Sequence, residues 1–418
     1  MSQQTILCVS HVAPWPASHG NEIRLQRLLL WFRQQNYRLI LVLTQPQFDP
    51  EQQDLIRKHV DQLEIASPRH PLLQFRNRRD KLHWMLHSNW PGRQRRTEPT
   101  NGGAMKRFAD QLCPVAVNTL VRRMATKESI DIFFSYYAFT LHAFAGLSRK
   151  TMLLCDSIEI FSMERFDEAG KLIPPVLSFS AEEERNLLMQ SDYLIAIQAA
   201  EAAYLSQLIP EKRILTVGMD CDLPGELYLP SEAGEVIGIV GSDNLANREG
   251  LDLFLVDSWP RIKSSRPQAK LLIAGKLGRQ LQAQDQDQLP EGVTPLGWVA
   301  SLSAFYQELR IVVNPVQRGT GLKIKTVEAL AHGRPLVAYP VGLEGINWAS
   351  VPLPWSAVNT PEAMANACIA LLADPRRCDA MAESARQFAV HCLSADTVYA
   401  PLATLLGHPI RGQVKQSE

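Results

Sequence analysis

Residues 5–44 read TILCVSHVAPWPASHGNEIRLQRLLLWFRQQNYRLILVLT, and this stretch decides the fold class. Thr5–Ser10 is a short apolar run, and a loop with Pro14, Pro16 and Gly20 follows it. Glu22–Gln35 then places Leu25, Leu28, Leu29 and Phe32 at helical spacing, and Asn36 closes that helix. Tyr37–Thr44 is a second apolar run without polar alternation. Strands of that kind are buried on both faces, so the unit reads as strand, helix, strand of the parallel-sheet type.

Further strands are predicted at Ile130–Ser135, Thr151–Cys155 and Tyr193–Ile197, with a helix at Ser180–Gln190. Asp222–Glu235 (DLPGELYLPSEAGE) is rich in Pro, Gly and acid and has no periodicity, so it marks a domain boundary. The pattern then restarts. Strands are predicted at Val236–Gly241, Lys270–Gly275, Ile311–Val316 and Pro335–Tyr339, and helices at Gly250–Ile262, Ser301–Arg310 and Leu322–His332. A helix opening with Pro361 begins the closing helical stretch. The alternation predicts an α/β protein of two Rossmann-like, doubly wound domains facing each other across a cleft. The expected domains are residues 1–228 and 229–393, with 394–418 a helical segment packing back toward the first. A chain of 418 residues exceeds what one core usually supports, which also asks for two.

Composition narrows the function classes. Lys plus Arg and Asp plus Glu both number 43, so the whole-chain charge favours neither nucleic acid nor an acidic substrate, and any electrostatic function must be local. The seven cysteines are scattered without a C-x-x-C pair, which argues against zinc and disulfide frameworks and for a reducing cytoplasm. The apolar runs fall far short of the roughly 20 residues that span a bilayer. One stretch is locally biased: Ser67–Thr97 has eight basic residues against the single acid Asp80, interleaved with Phe75, Trp84 and Trp90. That pattern suits peripheral contact with an anionic membrane at its inner face, or a lipid-diphosphate acceptor. No nucleic-acid motif accompanies it. The D-x-D strings at Asp220–Asp222 and Asp285–Asp287 lie in the linker and in a Gln-rich loop, so they read as chance, and no metal or other cofactor is expected.

The chemistry concentrates in Asn314–Gly333, NPVQRGTGLKIKTVEALAHG. A buried strand runs into Gly319-Thr320-Gly321, and the helix that follows ends at Gly333 with Pro335 beyond. Lys323 and Lys325 fall near the start of that helix, where a cation opposes the macrodipole at about 0.3–1 kcal/mol each. An anion docked on the free N–H groups reverses that sign. The glycines allow close backbone approach, the lysines neutralise phosphate, and Glu328 is placed to accept from ribose hydroxyls.

This segment resembles the donor site of the retaining glycosyltransferases of family 4, which have the two-domain fold called GT-B. Glu328-Ala329-Leu330-Ala331-His332-Gly333-Arg334-Pro335 matches the second half of the family's pair of glutamates with seven residues between them. Thr320 stands where the first would be, giving a G-x-G-x-K-x-K variant in which the lysines carry the phosphate grip. The resemblance implies an acceptor-side first domain and a nucleotide-sugar-binding second one. It places Pro14 to Gly20 and Arg24 in a first glycine loop, and Gly241–Gly250, Gly275-Lys276 and Gly297-Trp298-Val299 in donor-facing loops. Gly20, Gly241, Asn247, Lys276, Val299, Thr320 and Gly321 thereby join Lys323, Lys325 and Glu328 as donor-binding residues. Where relatives often read D-x-H-D, this chain has Asp156-Ser157-Ile158-Glu159, so Asp156 and Glu159 are the implied catalytic residues. A carboxylate there can take a proton or stabilise positive charge on the reacting sugar. Ser178–Glu201 also resembles the family, its acids reading as a solvated helix face. The implied activity is that of a hexosyltransferase in glycan biosynthesis, moving a sugar with retention from a nucleotide-sugar to a glycan, lipid or other acceptor. Ile158 and Thr320 leave open a degenerate nucleotide-binding scaffold protein. A sugar-nucleotide epimerase shares the fold, and the lysine-bearing turn argues against it.

Overall fold

A computed structural model describes the chain except for residues 1–2, 18, 46–47, 67–108, 148–149, 164–178, 226–227, 283–288, 320, 347, 349–351 and 409–418. The basic, aromatic stretch at 67–97, the string at 285–287 and Thr320 lie outside the described residues.

Two sheets form. The first holds β1 (Thr5–Ser10), β2 (Arg38–Leu43), β3 (Gln62–Ile65), β4 (Ile132–Tyr136), β5 (Met152–Asp156), β6 (Tyr193–Ala196) and β7 (Arg213–Thr216) in the order β3-β2-β1-β4-β5-β6-β7. The second holds β8 (Val236–Val240), β9 (Lys270–Ala274), β10 (Val293–Gly297), β11 (Ile311–Asn314), β12 (Leu336–Ala338) and β13 (Trp355–Ala357) in the order β10-β9-β8-β11-β12-β13. Every pairing is parallel. The fold is α/β, two Rossmann-like sheets of the same winding. The strand order reverses between β1 and β4 in one sheet and between β8 and β11 in the other, and crevices for ligands open at the carboxyl ends of such strands.

The apolar runs explain the central strands. Every residue of β1, β4 and β11 is buried, because helices cover both faces of a parallel sheet. Helix α1 (Gly20–Gln34) starts where the Glu22 carboxylate accepts the His19 N–H at 3.0 Å, and it buries Leu25, Leu28, Leu29 and Phe32. Asn36 ends it with φ 64°, a left-handed conformation that Asn tolerates better than most residues. Beyond the linker, Leu245–Leu253 begins five residues before the predicted Gly250, because the Asn244 side chain accepts the Asn247 N–H at 2.9 Å and caps it there. A π-helical turn at Phe254–Ser258 then joins it to Trp259–Ser265. The Pro361 helix is capped by the Thr360 hydroxyl, which accepts the Ala363 N–H at 3.0 Å.

After the second domain the chain returns to the first. Val398, Tyr399, Leu402 and Ala403 belong to the same apolar core as β1 and β4. Tyr399 stacks on Trp31 with ring centroids 4.9 Å apart, and its hydroxyl donates to Asp220 at 2.7 Å. Asp220 and Asp222 also pair with Arg27 of α1, at 3.4 and 2.6 Å. The D-x-D string of the linker is therefore an ion-pair clamp. Among the described residues no helix is long and apolar enough to cross a membrane.

Candidate functional site

The segment leaving β11 is pinned from below. Asn314 is fully buried and donates to the Thr326 hydroxyl at 3.0 Å, which donates in turn to the Gly342 carbonyl at 2.7 Å. Gly319 and Gly321 have φ of 124° and 72°, conformations that L side chains rarely adopt, so the turn before the Ile324–Ala331 helix requires glycine there. Lys323 occupies the N-cap position, where its side chain cannot accept a hydrogen bond, so the first-turn N–H groups lack a side-chain cap.

The two lysines behave differently. Lys323 donates to the Gly321 carbonyl at 2.7 Å and pairs with Glu344 at 3.1 Å, so a carboxylate neutralises it and the glycine turn is tied to the loop after β12. The Lys325 ammonium donates to the amide oxygen of Asn247, whose own NH₂ group donates to the Ser242 carbonyl at 2.7 Å. Burial, and then repulsion from Lys323, lower the Lys325 pKa to about 7. Burial raises Glu328 to about 7, against the pull of Arg27 and the neighbouring Tyr306 hydroxyl. The expectation of two uncompensated cations thus holds for Lys325 and not for Lys323.

The other loops expected to face a donor lie at neighbouring strand ends of the same sheet, and the segment after β8 meets this turn through Asn247. The Leu277 N–H donates to the Gly241 carbonyl at 3.1 Å and the Gly275 N–H to the Gly297 carbonyl at 2.7 Å, which brings the carboxyl ends of β8, β9 and β10 together. Lys276 Nζ lies 3.1 Å from His19 Nε2 of the first domain. Val299 is half-buried against the second core, beside the exposed Trp298. A Cβ at Gly20 would stand 2.7 Å from Ile324 Cδ1, so the amino end of α1 abuts the amino end of the lysine-bearing helix across the cleft.

The implied catalytic pair separates. Asp156 does not face the crevice as expected: it is fully buried and accepts from Arg24 Nε at 2.9 Å and from the Ile158 N–H at 3.3 Å. Burial pushes its carboxyl up and the Arg24 charge pulls it back. Glu159 is half-buried beyond it, in a tight turn where its N–H donates to the Ser157 carbonyl at 2.6 Å and Ile158 has φ 61°. The solvated acidic face predicted within Ser178–Glu201 also needs correction. Glu182 is exposed, but Glu184 and Glu201 are fully buried. The Glu184 carboxylate accepts the Phe161 and Ser162 N–H groups at 3.0 and 2.8 Å, holding the chain just past Glu159. Sequence reasoning missed Glu344, which no local pattern marks, and His11, whose place directly after β1 is a signal that could have found it.

The fold, two doubly wound domains with glycine turns meeting at their switch points, is GT-B. Structures of similar shape include HepE of Anabaena in complex with UDP-glucose, with TM-score 0.64, 16% identity, and coverage of 97% of this chain and 100% of that one. Sucrose-phosphate synthase of Thermosynechococcus elongatus gives TM-score 0.65 at 15% identity, covering 97% and 98%. The pneumococcal O-GlcNAc transferase GtfA, in complex with UDP and GlcNAc, gives 0.61 at 13%, covering 97% and 99%. No curated protein matches the chain by sequence. Residues 234–374, a stretch that includes the Gly319–Lys325 turn, match the family described as glycosyl transferases group 1.

The two perturbed groups give opposite pH signatures. Native Lys325 loses its proton above about 7, while the unfolded chain keeps it to about 10.5, so this group makes stability rise with pH between those values. Native Glu328 keeps its proton up to about 7, whereas an unfolded glutamate loses it near 4.5, so this group makes stability fall across that window. Urea unfolding from pH 5 to 10 is expected to show Lys325→Met flattening only the upper limb and Glu328→Gln only the lower. Parallel curves for parent and variants would contradict the assignments.

Proposed function

We propose that this protein is a glycosyltransferase that takes its sugar from a nucleotide-sugar and holds the donor diphosphate on the Gly319–Lys325 turn. The observation that carries this reading is Lys325: an enclosed ammonium at a helix N-terminus, held by an amide and lowered to about 7, is placed to recover its full charge when an anion docks. Gly241, Asn247, Gly275 and Lys276 surround the same place, and Glu328 serves the ribose. Val299 lines the base side.

The finer reading is a retaining, hexosyltransferase-type enzyme of family 4, with the G-x-G-x-K-x-K turn doing without the first glutamate. The chemistry then needs no metal: Lys325 and the helix N–H groups take up the charge left on the leaving diphosphate. Glu159 is the carboxylate that faces the positive charge developing on the sugar, and Asp156 is a positioning residue that holds the turn carrying it. The acceptor is a glycan, a lipid or another lipid-linked molecule, met in the cytoplasm. The basic, aromatic composition of residues 67–97 supports docking at an anionic membrane, which sedimentation with anionic but not neutral vesicles checks.

Calorimetry at pH 8 tests the cradle. Nucleoside diphosphate binding is expected to take up close to one proton in the parent, because Lys325 is mostly neutral beforehand and charged afterwards. Lys325→Ala abolishes that uptake and weakens binding by about 1.5–3 kcal/mol, the range for hydrogen bonds to charged groups. Binding without proton uptake, and unchanged in Lys325→Ala, would rule the cradle out. For the reacting carboxylate, Glu159→Gln is expected to lower release of nucleoside diphosphate in the presence of acceptor by about 10²–10⁴ with affinity unchanged. Equal turnover would remove Glu159 from the mechanism. Binding with no turnover in either form would instead favour a scaffold role.

A further inference from the structure

The carboxyl ends of β1 and β4, where the first sheet reverses, hold side chains that the nucleotide reading leaves unused. Ser10 ends β1 fully buried. Its hydroxyl donates to the Val12 carbonyl at 2.8 Å and accepts the Val12 N–H at 3.0 Å, which fixes the backbone on both sides of His11. The imidazole lies against Tyr137, ring centroids 4.6 Å apart and planes tilted by 60°. Its Nδ1 is closed off from solvent and has no hydrogen-bond partner among the described residues. Buried polar atoms are nearly always paired, so an orphan at a switch point is a place where a ligand atom completes the structure.

The surroundings give the ligand's chemistry. Tyr137 follows β4 directly with φ 75°, and Ile158 follows the adjacent β5 with φ 61°. Two non-glycine residues in the left-handed region at neighbouring strand ends are the kind of backbone strain that gathers at functional sites. The Asn21 amide, in the first turn of α1, donates to the Tyr137 hydroxyl at 3.1 Å, and the Tyr136 hydroxyl donates to the Asn21 carbonyl. The Glu159 charge also reaches Tyr137, whose phenol is pushed up first by burial and then by that charge. Burial lowers His11 to about 4, so its ring is neutral at pH 7. A neutral imidazole, a tyrosine face, an amide and a nearby carboxylate suit uncharged hydroxyls and disfavour phosphate.

We propose that His11 Nδ1, with Tyr137 as its wall, binds a sugar hydroxyl on the first-domain side of the crevice and so helps to select the sugar. This inference rests on the nucleotide-sugar reading above. The hydroxyl belongs either to the donor's sugar or to an acceptor sugar, and two measurements separate these. The first is the calorimetric Kd ratio of UDP-glucose and of UDP-N-acetylglucosamine to UDP. The second is saturation-transfer NMR of free glucose and N-acetylglucosamine on the UDP-saturated protein. His11→Phe keeps a ring without polar atoms, His11→Ala removes the ring, and His11→Gln restores a hydrogen-bonding group.

The expected result is UDP affinity within twofold of the parent in all three variants, with melting temperatures of the Phe variant at or above the parent's. The Phe and Ala variants lose at least tenfold of the sugar-nucleotide preference if the hydroxyl is the donor's, or lose the free-sugar signal if it is an acceptor's. His11→Gln recovers part of whichever is lost. Unchanged ratios and unchanged signals in the Phe and Ala variants would overturn the inference, as would a parent showing neither preference nor signal while binding UDP. A parent that binds none of UDP, GDP or ADP would overturn the nucleotide-sugar reading, and this one with it.

Discussion

The buried Arg24 guanidinium ties the first helix to the ends of two strands, and the crevice is built around it. Arg24 is 4% exposed, yet it is a full cation paired with the fully buried Asp156, and its remaining donors go to the Val217 and Gly218 carbonyls at 2.9 and 2.5 Å. Three separate pieces of chain thereby share one guanidinium: α1, the end of β5 and the residues just after β7. Removing one partner of such a pair costs about 3–5 kcal/mol, because the other charge stays buried and unpaired. One helical turn further on, Arg27 repeats the device toward Asp220 and Asp222. The direction of α1, and with it the contact of Gly20 against Ile324, is set by these two arginines as well as by its apolar face.

The Ile324–Ala331 helix then serves two environments at once. Lys325 looks toward Asn247 within its own domain, while Glu328 lies close enough to Arg27 of the first domain to feel its charge. Burial moves both pKa values toward neutrality from opposite directions, since desolvation penalises whichever form is charged. A crevice lined this way carries little fixed charge when empty and can develop it where an anion arrives.

What was legible in the sequence follows physical lines. The nine strands predicted are the interior strands of the two sheets, whose two covered faces demand long apolar runs. The four that went unread, β3, β7, β10 and β13, are the four sheet edges, and their burial is partial. A half-covered edge needs only a few apolar residues and leaves a weak pattern. The glycine turn and its lysines were readable because they are contiguous. Glu344 was not, since its pairing with Lys323 spans 21 residues of sequence. Asp156 and Glu184 misled for a related reason: composition marks a carboxylate as polar, and only the tertiary neighbours, Arg24 in one case and the Phe161 and Ser162 N–H groups in the other, make burial tolerable.

The same neighbours divide the crevice by charge. The second domain contributes Lys325, Lys323, Lys276 and the open end of a helix; the first contributes a neutral imidazole, tyrosine and asparagine with Glu159 behind them. A molecule with an anionic diphosphate at one end and an uncharged polyol at the other has one favourable orientation in such a field, because reversing it would set phosphate against Glu159 and leave Lys325 facing hydroxyls. On the reading proposed above, orientation then follows from the charge that Lys325 takes up when the diphosphate docks and from the Glu159 carboxylate on the opposite wall. On the same reading, discrimination between sugars falls to the short-range, directional hydrogen bonds of the first domain. That division explains why the strained residues Tyr137 and Ile158 sit on the first-domain side: directional contacts require fixed atoms, and strain held by a surrounding core is one way of fixing them.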